Sequence, residues 1–240
     1  MEKKRLPLNA VHLRYLALGL MLLDHLWGTI VPGNDWMTYL GRLAFPIFAF
    51  QASEGYAHTS DFTKYCRRLL LFGLLSEIPM NLMLMSSWIF PFHQNVMFTL
   101  LLGILGLRAA DRMRSADHWK TRLLSMLSIP GVCLLGAVTF VDYGAYGVAM
   151  VLLFGLSRNR TGEKLIQLLG MVLINVVLME GQMLPVFGRE LPVQSFAVLA
   201  LLPIWLYNGE KGSRSRALQI GSYAFYPAHM LILSAIRYFS

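Results

Sequence analysis

Charge is what this chain has least of. Only 14% of its 240 residues are Asp, Glu, Lys or Arg, while 56% are apolar or aromatic. A soluble domain of this length needs far more polar surface, so the composition excludes a water-soluble globular fold. A hydrocarbon core about 30 Å thick takes about 20 apolar residues per helix. The chain is therefore filled by spans, and residues 1–240 read as one integral-membrane domain with no separate soluble part. Cysteine is also scarce. Cys66 in a charged loop and Cys133 in an apolar run make no disulfide framework. No Cys/His spacing resembles a metal site, so no metal is expected. Neither a G-x-x-x-x-G-K-S/T loop nor a G-x-S-x-G elbow occurs, which argues against phosphate-loop and serine-hydrolase chemistry.

What is present is a series of apolar segments, at about 8–30, 36–56, 67–86, 94–110, 122–140, 144–157, 164–180, 194–208 and 217–238. They predict an all-α, polytopic bundle of about nine transmembrane spans. The basic start at Met1–Arg5 leads into a run holding Arg14, Asp24 and His25 with no cleavage site behind it, so the first span is read as retained. The cations alternate between loops. Lys3, Lys4 and Arg5 precede span one; Lys64, Arg67 and Arg68 fill the second loop. Arg108, Arg112, Arg114, Lys120 and Arg122 fall in the fourth, Arg158, Arg160 and Lys164 in the sixth, and Lys211, Arg214 and Arg216 in the eighth. That places 17 of 21 cations on one side, leaving Arg14, Arg42, Arg189 and Arg237. Such alternation puts the N-terminus in the cytoplasm and the C-terminus outside, in the inner or plasma membrane. The net charge of +8 is then a topology signal and implies no nucleic-acid partner.

Topology sorts the remaining polar residues by depth. Arg14 lies in the inner half of span one and His25 in its outer half. Eleven steps of 100° bring them onto one stripe, about 16 Å apart along the axis. Ionisable groups within a span mark a pathway or a site. Asp24, Arg42, Asn95, Tyr143 and His229 fall at the depth of His25, Glu54 lies in the inner half, and Glu77 is near the middle of span three. Pro46 and Pro79 are expected to kink spans two and three. So many polar groups at matching depths predict a shared interior cavity.

A cation near the cytoplasm and a base three turns deeper suit a coenzyme A thioester. Its anionic end would rest near Arg14 and its pantetheine arm would carry the acyl group to His25. A neutral imidazole there takes a proton from an incoming hydroxyl or amine. Asp24 is the candidate for fixing its tautomer, and Arg42 or Asn95 for donating to the oxyanion. The bland alternatives are that Arg42, Glu54 and Glu77 pair with one another as bundle glue, and that His229 is a packing residue.

Several motifs carry a resemblance. Leu23-Asp24-His25, Gly41-Arg42-Leu43-Ala44-Phe45-Pro46, Ser76-Glu77-Ile78-Pro79, Gln94-Asn95-Val96-Met97-Phe98, Tyr143-Gly144-Ala145-Tyr146-Gly147 and Phe225-Tyr226-Pro227-Ala228-His229 occur in order through nearly the whole chain. Together they resemble the TraX family of conjugative pilin acetylases. The basic-x10-His pattern of Arg14 and His25 is similar to that of the wider integral-membrane acyltransferases. The resemblance implies acetyl transfer from acetyl-CoA, with His25 catalytic and Arg14 on the donor side. It raises Arg42, Asn95, Tyr143 and His229 as site residues without fixing their roles; with the depth reading, Asp24, Arg42, Asn95 and His229 join His25 as catalytic candidates, and Glu54, Glu77 and Tyr143 join Arg14 as donor-binding ones. The acceptor, a peptide N-terminus, glycan or lipid, is left open. A small-solute transporter or channel is the competing reading, since buried charges and broken helices mark those too. A non-catalytic scaffold is the third.

Overall fold

Apolar runs between charged loops fold as helices, because a helix satisfies its own backbone donors and acceptors wherever water is absent. The computed structural model describes residues 6–186, 188–212 and 215–239. In chain order the helices are α1 (Ala10–Thr29), α2 (Trp36–Gly41), α3 (Ala44–His58), α4 (Phe62–Met85), α5 (Val96–Ser115), α6 (Trp119–Val138), α7 (Gly144–Ser157), α8 (Glu163–Val172), α9 (Leu201–Trp205) and α10 (Arg216–Phe239). A π-helical turn, Leu173–Leu178, prolongs α8, and a 3-10 stretch, Val193–Ala200, leads into α9. A short antiparallel hairpin, β1 (Met183–Val186) and β2 (Arg189–Pro192), joins these two segments. The fold is all-α apart from that hairpin.

Each expected span coincides with helical structure, but three are irregular. Span two breaks at Arg42–Leu43, and Pro46 falls in the first turn of α3, where the missing N–H is not needed. Pro79 does lie inside α4. Span seven turns from α to π, and span eight is mostly 3-10. By length and composition, two helices among the described residues, Phe62–Met85 and Trp119–Val138, are long and apolar enough to cross a membrane. The expected nine crossings are not reached by that measure. Arg14 and Asp24 dilute the apolar run of α1, while α3, α7 and α8 have only 15, 14 and 10 residues. Lys3, Lys4, Arg5 and Arg214, used in the charge alternation, lie outside the described residues.

The outer surface is oily. Leu70, Leu71, Leu74, Leu75 and Ile78 face outward on α4, and Leu123, Leu124, Leu127, Leu134 and Leu135 do so on α6. A contiguous apolar surface of this kind belongs against a bilayer. Inside, α1 packs on α2, α3 and α10, and α10 also packs on α4. Helices α5 and α7 approach closely through small residues: a Cβ on Gly103 would stand 2.5 Å from Val151, and one on Gly155 would stand 2.4 Å from Leu107. The start of the chain is tied to its far end, because Leu8 donates its N–H to Leu206 and accepts from that of Asn208.

Candidate active site

Two helices from opposite ends of the chain bring two histidines together. His25 of α1 and His229 of α10 sit with Nδ1 and Nε2 2.7 Å apart, their rings within 7° of parallel. The second nitrogen of His229, Nδ1, lies 2.8 Å from the Phe225 carbonyl. A carbonyl only accepts, so neutral His229 carries its proton on Nδ1 and presents a lone pair at Nε2. That lone pair accepts from His25 Nδ1–H. The network therefore assigns the tautomer of His25, leaving Nε2 as its unprotonated nitrogen. Phe225 also stacks on the His229 ring, with centroids 4.9 Å apart. His229 is buried, and His25 is half-buried.

The sequence offered Asp24 as the orienting group for His25; the structure gives that place to His229. Asp24 points about 100° away along α1 and meets Arg42 instead. Its Oδ1 accepts from Arg42 Nη2 at 3.1 Å and from the Thr38 hydroxyl at 2.6 Å. Arg42 Nη2 also donates to Thr38 Oγ1 at 2.8 Å. The α1–α2 contact that permits this is tight, since a Cβ on Gly41 would lie 2.4 Å from that of Asp24. Tyr143 and Asp142 complete the surroundings of Arg42, and Arg42 acts electrostatically on His25. Tyr143 is thus placed with the Arg42 group and away from any donor-side cation.

Asn95 is committed elsewhere. It caps α5 by accepting from Met97 N–H at 3.0 Å, and its Nδ2 donates to the Gly73 carbonyl at 2.7 Å. Glu77 Oε1 accepts from Asn95 N–H at 2.9 Å and from the Asn95 side-chain amide. With its donors used and its side chain fully buried, Asn95 has none left for an oxyanion. Glu77 is the anchor of that cap. Glu54 is paired too, accepting from Arg158 Nε at 2.6 Å, with His58 Nδ1 3.7 Å away. Arg42, Glu54 and Glu77 therefore do not pair with one another, as the glue reading supposed. Each has its own partner.

Below the histidines lies a cavity of about 490 Å³. Arg14, Arg68 and Lys211 line it, together with Glu54, and its apolar lining includes Met21, one turn before His25 on α1. Tyr226, one turn before His229 on α10, lines it as well. The cavity thus joins a cationic region to the neighbourhood of the histidine pair. None of the three cations makes an ion pair with a described carboxylate, whereas Glu54 is neutralised by Arg158. The lining carries excess positive charge, which suits an anion. In the sequence Arg68 and Lys211 stood out only as topology cations. The i, i+3 spacing of Tyr65 and Arg68 was the available local signal for more.

A helical membrane-type bundle whose basic cavity comes within one turn of a pair of bonded imidazoles defines a class: a bundle with an interior polar site suited to an anion. Comparison with known proteins is more particular. The TraX protein family matches residues 10–237, and the chain belongs to that family. It is 27% identical to a Dichelobacter nodosus protein named "Probable fimbrial assembly protein FimC, serogroup H1", over an alignment covering 98% of each chain. No solved structure matches the chain.

Proposed function

We propose that this protein is an integral-membrane acetyltransferase, moving an acetyl group from cytoplasmic acetyl-CoA to an amine or hydroxyl in the membrane or at its outer face. The observation that carries the reading is the cavity, with three uncompensated cations in its lining and the His25–His229 pair one turn beyond it. In this reading all nine helical segments cross the bilayer, the N-terminus is cytoplasmic, the C-terminus is external, and residues 1–240 act as one unit.

Arg14, with the other lining cations, holds the phosphates, and the pantetheine arm runs along α1 toward His25. His25 Nε2 takes the proton of the acceptor as its nitrogen or oxygen attacks the thioester carbon. The oxyanion faces Arg42, which Asp24 and Thr38 hold in place. Collapse of the tetrahedral intermediate breaks the carbon–sulfur bond, and the thiolate receives the proton from His25. His229 keeps the base nitrogen of His25 free and spreads the charge of the imidazolium. Glu54 is held by Arg158 at the wall of the cavity, Tyr143 supports Arg42, and Glu77 with Asn95 holds α4 against α5. Family membership, and a relative named for fimbrial assembly, favour a surface-fibre subunit as acceptor, with its N-terminal amine the group acetylated.

The test is acetyl-CoA turnover by the purified protein in detergent, following free CoA thiol with a panel of amine and hydroxyl acceptors, wild type against His25→Ala. Thiol release that depends on His25 is the expected result. A wild type that shows neither thiol release nor acetyl-CoA binding overturns the reading and puts a transporter in its place.

A further inference from the structure

The cation-lined cavity has one cation that is built in more firmly than the rest. Arg68, on α4, sits between two aromatic rings, its guanidinium carbon 5.3 Å from the centre of Tyr65 and 5.2 Å from that of Tyr223. Both rings are held from behind. The Tyr65 hydroxyl donates to the Ala52 carbonyl at 3.3 Å, and Tyr223 stacks on Phe72 with centroids 4.9 Å apart. Arg68 Nε is buried with no hydrogen-bond partner, and no described carboxylate pairs with the guanidinium. A donor removed from water and left unpaired is costly, by more when it is charged. Arginine has five donors in a planar fork that matches phosphate oxygens. With tyrosines over its faces the fork has its edge left for bonding, and Arg68 lines the cavity.

We propose that Arg68 is the phosphate clamp of this cavity, gripping the diphosphate of a nucleotide-type donor by its edge while Tyr65 and Tyr223 hold its faces. This rests on the acetyl-CoA reading of the cavity and names a residue for the part of the donor that reading leaves general. Arg14 lines the same cavity as Arg68 and Tyr65, so a second cation is available to the anion that Arg68 grips. Glu54 does not oppose them, because Arg158 already neutralises it. The clamp fixes the end of the donor far from the reaction, so its loss acts through binding and leaves the chemical step alone.

The experiment measures CoA and 3′-dephospho-CoA binding by calorimetry to the full-length protein in detergent, for wild type, Arg68→Gln and Arg68→Lys. Both ligands carry the diphosphate, and only CoA carries the 3′-phosphate. The expected result is that Arg68→Gln weakens both by the same factor, roughly tenfold to hundredfold, the usual range for a charge-assisted pair. Arg68→Lys recovers only part of it, since an ammonium lacks the fork. Unchanged CoA affinity in Arg68→Gln overturns the clamp, as does a loss confined to CoA, which would assign Arg68 to the 3′-phosphate. If Arg68→Gln does not fold, Tyr223→Leu keeps the charge but frees one face, and must weaken both ligands in the same direction. A wild type that binds neither ligand overturns the donor reading itself; normal wild-type binding with an insensitive Arg68 overturns the clamp alone.

Discussion

Replacing His229 with alanine removes the acceptor for His25 Nδ1–H, a contact of 2.7 Å. Two losses follow. The Nδ1–H is left in a half-buried place without its partner, which costs about 1–3 kcal/mol, and the imidazole can relieve that cost by moving its proton to Nε2 or by turning. Either move takes the lone pair out of position. With about 1.4 kcal/mol per tenfold in rate, the catalytic loss should lie between about fivefold and 150-fold. His25→Ala removes the base altogether and should lose about 10² to 10⁴. Because His229 acts only through His25, the double variant should be no slower than His25→Ala, the non-additivity expected of groups that act as a unit. Glutamine at 229 can place a carbonyl oxygen where Nε2 stood, so His229→Gln should recover part of the rate. The assay is steady-state thiol release with the acceptor saturating. A His229→Ala enzyme within about threefold of wild type would refute the orienting role. So would a double variant slowed by the product of the two single losses, since that would mean His229 touches the substrate independently.

Asn95→Ala should destabilise the protein by roughly 2–4 kcal/mol, combining the lost cap of α5 with the side-chain amide bonds taken from Glu77 and the Gly73 carbonyl, and a thermal melt in detergent reads it; a change under about 0.5 kcal/mol, the level of a neutral surface substitution, would contradict the anchoring role. Gly41→Ala forces α2 off α1 at Asp24, and overpacking of this kind costs about 1–3 kcal/mol. Its turnover should fall further than its melting temperature suggests, because Arg42 and Asp24 are displaced together. A reporter fused after Lys120 should read cytoplasmic and one fused at Gly188 external, and the opposite pattern would reverse the donor side.

The helical bundle was legible because apolar segments bounded by cations have few ways to satisfy their backbones. Arg42–Leu43 was not legible as a break: the run 36–56 is mostly apolar and reads as one span, while in the structure Arg42 meets Asp24 at the division. The angle between Asp24 and His25 was readable from helical periodicity, yet adjacency in sequence still made Asp24 the orienting candidate, a place that His229 holds instead. What periodicity cannot show is contact between distant segments, so the partnership of His25 with His229 stayed hidden although both residues had been singled out. Asn95 illustrates a local signal passed over. An asparagine immediately before an apolar run is an N-cap pattern, and that is its use here. In the sequence Arg68 reads as a loop cation: Tyr65 lies three residues before it on α4, but the second ring, Tyr223, comes from α10 at the far end of the chain.

The two histidines are 204 residues apart in the chain, and this has a consequence for how the protein comes into being. During synthesis His25 enters the membrane long before its partner exists. At translation speeds of about 5–20 residues per second, the first helix waits roughly 10–40 s for the last. The fragment that precedes α10 lacks both His229 and the Tyr223 wall of the cavity, so the candidate site is complete only with the final helix. On the proposed function, arrival of α10 is the step that makes the molecule active, and a chain released early would be inert.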